Sequence, residues 1–278
     1  GKGIGVAVLD TGIFLHRDFD SRVTGFADMV NRRNFAYDDC GHGTHICGII
    51  GGSGRMSGGR YSGIAPGCNL IMVKVLDRKG NGYSSDVLAG ISWVLERKEQ
   101  LGIRILNISV GACSKRGMSE NSALVKGVNR AWDAGLVVVV AAGNNGPRTM
   151  SITTPGISRK VITVGCSDDD REVLVGGNRM VDYSGRGPTA ACICKPDLVA
   201  PGCSVVSCSS RADKYTIKSG TSMSTPIVSG AVALLLERFP DMSNKDVKLR
   251  LRESSVDIGL PRNQQGWGLL DVGKMLER

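Results

Sequence analysis

No run of 18 or more apolar residues occurs in the sequence, so we expect no segment to span a membrane as a helix. Internal repeats, low-complexity segments and proline- or serine-rich linkers are also absent. The chain is therefore predicted to form a single domain, residues 1–278, since α/β folds of this size often have one core. With 41% hydrophobic residues and 38 glycines, that core should be large and its connections tight.

Basic clusters are scarce, although the formal net charge is +9. The lysines and arginines are scattered, and Arg32-Arg33 is the nearest approach to a cluster outside the helix-like stretches. A protein that binds nucleic acid usually concentrates such residues on one face. We therefore predict a solvated basic surface and no nucleic-acid partner.

The cysteines show no disulfide pattern, because their number is odd and they are spread over positions 40, 47, 68, 113, 166, 192, 194, 203 and 208. Outside the cell an unpaired thiol is at risk of oxidation. A reducing cytoplasm is the predicted location, and secretion is the alternative.

Short apolar runs alternate along the chain with longer helix-like stretches, which is typical of a layered α/β fold. We expect strands near 6–9, 70–75, 103–108, 137–142 and 161–164 and helices near 86–100, 119–134 and 226–239.

A serine that could act as a nucleophile lies in the segment Gly220-Thr221-Ser222-Met223-Ser224-Thr225-Pro226, just before an apolar run over 227–236. Ser222 is predicted to lie at a helix N-terminus. There, unpaired N–H groups and the positive end of the helix dipole stabilise an anion. The alternative is an ordinary helix cap, since serine and threonine are common caps and proline is common in a first turn.

A carboxylate follows a strand-like run: Gly3–Leu9 delivers Asp10-Thr11-Gly12 to the carboxyl end of the strand, where open parallel sheets place their chemistry. Asp10 could also serve only to form the turn. An aspartic protease is excluded, because two carboxylates must share one proton in that mechanism and the chain has no second Asp-Thr-Gly or Asp-Ser-Gly.

Only three histidines occur, and two of them, His42 and His45, lie in Gly41-His42-Gly43-Thr44-His45. The glycines on either side of His42 leave its imidazole accessible, which suits a general base. The alternative is a zinc site made by Cys40, His42, His45 and Cys47. Their spacing is unlike the usual zinc patterns and would leave Ser222 and Asp10 unexplained.

Asp10, His42 and Ser222 stand in the order that subtilisin uses for its triad. The chain resembles the subtilisin-like serine proteases, the subtilases, and is closest in character to intracellular bacterial members. The resemblance implies a three-layer α/β fold with a mainly parallel central sheet flanked by helices. Family-like segments follow in the family's order: Ile64-Ala65-Pro66, Lys74-Val75-Leu76, Asn107-Ile108-Ser109-Val110-Gly111, Ala141-Ala142-Gly143-Asn144-Asn145-Gly146, Tyr183-Ser184-Gly185-Arg186-Gly187-Pro188, Lys195-Pro196-Asp197-Leu198-Val199-Ala200-Pro201-Gly202 and Gly266-Trp267-Gly268.

By this resemblance the chain is expected to hydrolyse peptide bonds as a serine endopeptidase. Ser222 would attack the scissile carbonyl, His42 would transfer the proton, and Asp10 would orient the imidazole. The backbone N–H of Ser222 and the side-chain amide of Asn144 would form the oxyanion hole. The alternative is a catalytically silent binding protein on the same fold.

The resemblance also implies that the substrate is an extended peptide or protein segment, bound as an added strand. Ser109, Val110 and Gly111 would form one side, and Gly80, Asn81 and Gly82 the other. Small residues would line the pocket for the side chain that precedes the cleaved bond: Ala142, Gly143 and Thr153 with the neighbouring positions 141 and 154–156.

No cofactor or metal is predicted. Classical secreted subtilisins carry a calcium loop after the catalytic histidine, whereas residues 49–60 here contain two arginines and no acidic residue. Asp168-Asp169-Asp170 lacks the alternating spacing of a calcium loop and is interpreted as a solvated turn. An N-terminal propeptide is expected as a further partner.

Overall fold

Buried apolar strands form the centre of the first of two compact units in this computed structural model, which describes residues 1–111 and 120–277. Unit 1 comprises Gly1–Ile108, Val206–Ile217 and Ser229–Pro240. Its described part contains four neighbouring parallel strands in the order β2-β3-β1-β4. They are β1 (Gly5–Asp10), β2 (Val23–Asp28), β3 (Asn69–Lys74) and β4 (Ile103–Ile108).

The strand β1 is buried along its whole length, as expected for a parallel strand covered on both faces. Helices α1 (His42–Gly51) and α2 (Ser84–Arg97) both contact it. In the register between β1 and β3, Asp10 stands beside Lys74, so the carboxyl ends of the two strands lie together. A two-stranded sheet of β10 (Val205–Cys208) and β11 (Tyr215–Lys218) belongs almost entirely to this unit.

Unit 2 comprises Ser109–Val205, Lys218–Val228 and Asp241–Arg278. Three parallel strands of its described part stand in the order β5-β6-β9, and β7 pairs with β8 as an antiparallel hairpin. The strands are β5 (Val137–Ala141), β6 (Ile162–Cys166), β7 (Val173–Val175), β8 (Asn178–Met180) and β9 (Leu198–Ala200); the helices are α3 (Ala123–Asp133), α5 (Asn244–Ser254), α6 (Arg262–Gln265) and α7 (Val272–Leu276).

Helix α4 (Thr221–Arg238) begins in unit 2 and contributes its second half to unit 1. It starts one residue before Ser222, which confirms the helix predicted at that serine. Pro226 lies in the second turn and not in the first, where we expected it. Because proline has no N–H, the carbonyl of Ser222 four residues earlier receives no intrahelical hydrogen bond from it.

The predicted strands all occur, with ends that differ by one or two residues, and the predicted helices occur at α2, α3 and α4. Strands β2 and β9 and helix α5 were not predicted. No helix of the described residues has both the length and the apolar character needed to cross a membrane. The single-domain boundary, residues 1–278, stays a prediction.

A lysine fixes the chain between helix α3 and strand β6 in unit 2. The Nζ of Lys248 donates to the main-chain carbonyls of Arg159, Lys160 and Val161 at 3.0, 3.0 and 2.9 Å. Its ammonium also lies 3.4 Å from Oδ1 of Asp197. One cation carried on α5 thus contacts three consecutive carbonyls, of which that of Val161 also accepts from Nζ of Lys195 at 3.0 Å.

We expect Lys248→Met to lower the free energy of unfolding by roughly 2 kcal/mol, because the carbonyls of Arg159 and Lys160 lose this donor near the surface and are only partly rehydrated, whereas that of Val161 keeps Lys195. Denaturant unfolding followed by circular dichroism measures the loss. The matched control is Lys245→Met in the same helix, where the exposed lysine holds none of the three carbonyls. Equal stability of the two variants would show that the three carbonyl contacts contribute nothing net.

Candidate active site

Asp10 ends strand β1 and is completely buried. Its Oδ1 accepts hydrogen bonds from the backbone N–H of Thr11 and from Nδ1 of His42, both at 2.7 Å. Its second oxygen, Oδ2, has no hydrogen-bond partner among the described residues. The carboxylate is therefore held in one orientation, with one oxygen directed at the imidazole.

His42 is the first residue of α1, and its side chain is 23% exposed. The helix approaches the turn after β1 very closely, because a Cβ at Gly43 would lie 2.2 Å from the carbonyl oxygen of Gly12. Only glycine fits there. With Nδ1 occupied by Asp10, Nε2 is the ring nitrogen that can exchange a proton with another group.

The start of α1 depends on Asp38, a residue that the sequence reasoning did not single out. Its Oδ1 accepts from the N–H of Gly41 at 2.8 Å, and its Oδ2 accepts from the N–H of Thr44 at 2.9 Å. The hydroxyl of Thr11 also donates to Oδ1 at 2.9 Å. One carboxylate thus satisfies N–H groups at the helix N-terminus and ties them to the turn beside Asp10.

Ser222 lies in unit 2, as the second residue of α4. Its hydroxyl donates to the main-chain carbonyl of Ser109 at 2.8 Å. The backbone N–H of Ser222 is among the first four of the helix, which have no intrahelical acceptor. This start of α4 combines a hydroxyl with N–H donors that can stabilise a developing negative charge.

Asn144 is oriented by Thr221, the residue before the serine. Its Oδ1 accepts from the backbone N–H and from the hydroxyl of Thr221, both at 3.0 Å. The same hydroxyl accepts the N–H of Gly143 at 3.2 Å. Because the amide oxygen is engaged in this way, the NH2 group of Asn144 is left as the donor that the oxyanion hole requires.

Most of the residues predicted to contact substrate in unit 2 are brought together. The backbone N–H of Thr153 donates to the carbonyl of Ala142 at 2.9 Å, and the hydroxyl of Thr153 donates to the same oxygen at 3.3 Å. A Cβ at Gly111 or at Gly143 would lie within 2.5 Å of this threonine hydroxyl. Ser109 and Val110 directly precede Gly111. Thr153 therefore lies against both the predicted pocket wall, at Ala142 and Gly143, and the predicted substrate-binding segment that ends at Gly111.

The other predicted side, Gly80, Asn81 and Gly82, lies in an exposed turn of unit 1. The turn is organised by Asp77, whose Oδ1 accepts the N–H of Asn81 at 2.9 Å and that of Lys79 at 2.8 Å. These backbone donors, that of Asn81 first, hold the pKa of Asp77 below its usual value. The turn is thus held by hydrogen bonds within the segment, between the side chain of Asp77 and the backbone N–H groups that follow it.

One group of possible metal ligands occurs among the described residues, namely His16, Asp18 and Cys208 of unit 1. Their donor atoms are already used. His16 accepts the N–H of Asp18 at Nδ1, and its Nε2 lies 3.1 Å from the carbonyl of Lys214. Asp18 accepts the hydroxyl of Tyr215 at 2.6 Å. The group is a buried hydrogen-bonded network, and the zinc set proposed around His42 is not among the clusters found in residues 1–111 and 120–277.

The chain is similar to known proteins both in sequence and in fold. The sequence profile of the Subtilase family matches residues 1–268. The chain is 43% identical to serine protease AprX of Bacillus subtilis (strain 168), over 92% of this chain and 62% of that protein. It is 33% identical to subtilisin DY of Bacillus licheniformis, over 98% of this chain and 90% of the relative. The chain thus spans less than two thirds of AprX, and both relatives are bacterial, as the resemblance implied.

Two solved structures have folds similar to that of this chain. Sphericase superposes with a TM-score of 0.81 at 31% identity, covering 98% of this chain and 92% of the other. A cold adapted subtilisin-like serine proteinase gives 0.76 at 29% identity, covering 97% and 87%. The expected α/β fold with a mainly parallel sheet flanked by helices is confirmed by these neighbours.

We expect Thr221→Val to lower the kcat for a peptide substrate roughly tenfold with little change in KM, because loss of the hydroxyl frees Asn144 to rotate and weakens a contact made in the transition state. Steady-state kinetics on a chromogenic peptide anilide measures both constants. The control is Thr24→Val on the exposed part of β2. If Thr221→Val also lowers the kcat of an Asn144→Leu variant by roughly tenfold, the two residues act independently and the interpretation is wrong.

Proposed function

Because the chain belongs to the subtilase family of serine proteases, we propose that it is an active serine endopeptidase with Asp10, His42 and Ser222 as its triad. The observation that carries the proposal is the 2.7 Å hydrogen bond from His42 to the fully buried Asp10. A buried carboxylate in this position holds one tautomer of the imidazole and stabilises the imidazolium when it forms.

In the proposed first step the Oγ of Ser222 attacks the carbonyl carbon of the scissile peptide bond. The hydroxyl proton passes to Nε2 of His42, which then donates it to the nitrogen of the leaving amine as the C–N bond breaks. An acyl group remains on Ser222. Water, deprotonated by the same imidazole, then hydrolyses the ester and regenerates the serine hydroxyl.

The tetrahedral intermediates carry a negative charge on the former carbonyl oxygen. We assign its stabilisation to the backbone N–H of Ser222 and the NH2 group of Asn144. Support comes from the start of α4 at Thr221 and from the two hydrogen bonds that engage the amide oxygen of Asn144. Donors that are already oriented need no reorganisation during the reaction, which is why they contribute strongly to rate.

The substrate class is a peptide or protein, as the protease family implies. The finer proposal is that an extended segment pairs through its backbone with Ser109–Gly111 on one side and Gly80–Gly82 on the other. Such pairing reads backbone and not side chains, so it tolerates many sequences. The wall at Ala142, Gly143 and Thr153 is proposed to contact the side chain before the cleaved bond.

The catalytically silent alternative is tested by Ser222→Ala. We expect this variant to keep the fold and to lose at least about a thousandfold in kcat, since the nucleophile is removed while binding remains. Labelling with a phosphonofluoridate, mapped by peptide mass spectrometry, should place the adduct on Ser222 of the unsubstituted chain. A matched control is Ser224→Ala, because Ser224 is buried and its hydroxyl has no partner among the described residues. Equal activity of the two variants would remove Ser222 from the mechanism.

We further propose that the chain works in a reducing compartment, the bacterial cytoplasm. None of the eight cysteines within the described residues forms a disulfide, and Cys40, Cys192 and Cys194 are exposed; Cys113 lies outside those residues. Burial raises the pKa of Cys68 to about 11, so that thiol stays protonated, whereas exposed thiols oxidise readily outside the cell. The expected result of cell fractionation with immunoblotting is protein in the soluble cell extract. Recovery from the culture medium would favour the secreted alternative. The N-terminal propeptide and the absence of a nucleic-acid partner stay predictions.

A further inference from the structure

Lys74, the last residue of β3, is a completely buried cation. Its Nζ donates to the carbonyl of Thr11 at 2.6 Å, to the carbonyl of Leu76 at 2.8 Å and to Oδ1 of Asp39 at 2.7 Å. An ammonium group has three protons to donate, and these three acceptors use all of them. The side chain is therefore fixed, and its charge has a defined place.

The three acceptors belong to segments that carry the proposed site. Thr11 follows Asp10, and Asp39 lies three residues before His42 in the loop that leads into α1. Leu76 lies in the connection from β3 to the turn at Gly80–Gly82. The ammonium thus joins the turn after β1 to the loop before α1, at the point where the hydrogen bond between Asp10 and His42 must form.

The positive charge of Lys74 also stabilises the buried carboxylate of Asp10. That carboxylate is fully buried, and its Oδ2 has no donor among the described residues. A buried anion with an unpaired oxygen is strongly disfavoured unless a cation lies near. Lys74 stands directly beside Asp10 in the register of the two strands, and its ammonium bonds the carbonyl of the next residue.

We infer that Lys74 is a positioning residue for the pair formed by Asp10 and His42, an inference that rests on the proposed triad. It fixes the two segments that carry the pair, and its ammonium offsets part of the negative charge that Asp10 presents to the imidazole of His42. Asp39 has the opposite electrostatic effect, because it is an anion in the same network. Its side chain is 38% exposed.

Other charged and titratable groups face this network from each element around it. Their side chains remain in every variant below, so they form a constant background: Asp10 from β1, Tyr37 and Asp38 from the loop before α1, Cys47 from α1, Asp77 from the connection after β3, and Asp28 and Arg33, which contact Tyr37.

The test exploits the opposite signs of the two charges. Lys74→Met removes a cation, so the acidic limb of the pH profile of kcat/KM should move to higher pH, because the protonated imidazole becomes more favourable. Asp39→Asn removes an anion, so the same limb should move to lower pH. Each shift is expected to be on the order of half a pH unit at low salt. Loosened geometry alone would lower kcat in both variants and would not produce shifts of opposite sign.

Salt provides a second signature. The shift from Asp39→Asn should shrink in about 1 M NaCl, because this carboxylate is partly exposed, while the shift from the buried Lys74 should largely persist. The double variant should return the limb close to its original position. Asp20→Asn, an exposed carboxylate of the same unit that is not part of this network, is the charge-matched control and should leave the limb in place.

A direct measurement separates this inference from the proposed activity. With only three histidines in the chain, histidine-selective isotope labelling resolves each imidazole by NMR, and His42→Ala assigns the signal. Titration in the Ser222→Ala background needs no proteolysis. If the unsubstituted chain cleaves no peptide, the proposed function fails, while the titration still decides the role of Lys74.

Shifts of the same sign in the two variants, or shifts no larger than that of Asp20→Asn, overturn the inference. If Lys74→Met does not fold, Asp39→Asn decides alone, since it replaces a partly exposed carboxylate by a side chain of nearly the same shape. A titration midpoint of His42 that does not fall in Asp39→Asn would then be the overturning result.

Discussion

The carboxylate of Asp38 is the contact on which the geometry of unit 1 depends. Helix α1 begins after Gly41, which has no side chain to cap the helix, so the first N–H groups need an acceptor from elsewhere. Asp38 supplies it, and it also accepts the hydroxyl of Thr11. This bridge joins the start of α1 to the turn after β1, where His42 meets Asp10.

In each unit a threonine hydroxyl orients a residue of the proposed site by donating one hydrogen bond and accepting another. In unit 1 the hydroxyl of Thr11 donates to Asp38 and accepts the N–H of Gly43. In unit 2 the hydroxyl of Thr221 donates to Asn144 and accepts the N–H of Gly143. Each threonine adjoins a residue of the proposed triad, and its hydroxyl both donates and accepts a hydrogen bond. A β-branched side chain has few rotamers to lose, so it holds such a double contact at low entropic cost.

Much of this arrangement could be predicted from the sequence, for identifiable reasons. The apolar runs of β1 and β5 predicted buried parallel strands, and the small polar segment before an apolar run predicted the start of α4 at Ser222. Strand β9 was missed because its three buried residues are too short to show a period. Strand β2 was missed because only its last residue is fully buried.

The residues that sequence reasoning missed are the ones whose role is fixed by distant partners. Asp38 looks like one of two adjacent acidic residues in a loop, and Lys74 is only part of the family-like segment Lys74-Val75-Leu76, with no role of its own. Their functions depend on hydrogen bonds that span 27 and 63 residues of chain. Such contacts leave no local pattern, so only the folded arrangement shows them.

The three carbonyls held by Lys248 have a consequence for the medium in which the protein can work. An ion bound from solution stabilises a fold in proportion to the logarithm of its concentration, and this stabilisation vanishes as the ion is diluted. An ammonium carried on α5 is part of the same polypeptide, so dilution does not remove it. The segment between α3 and β6 therefore keeps its support whether the surroundings are rich or poor in free cations.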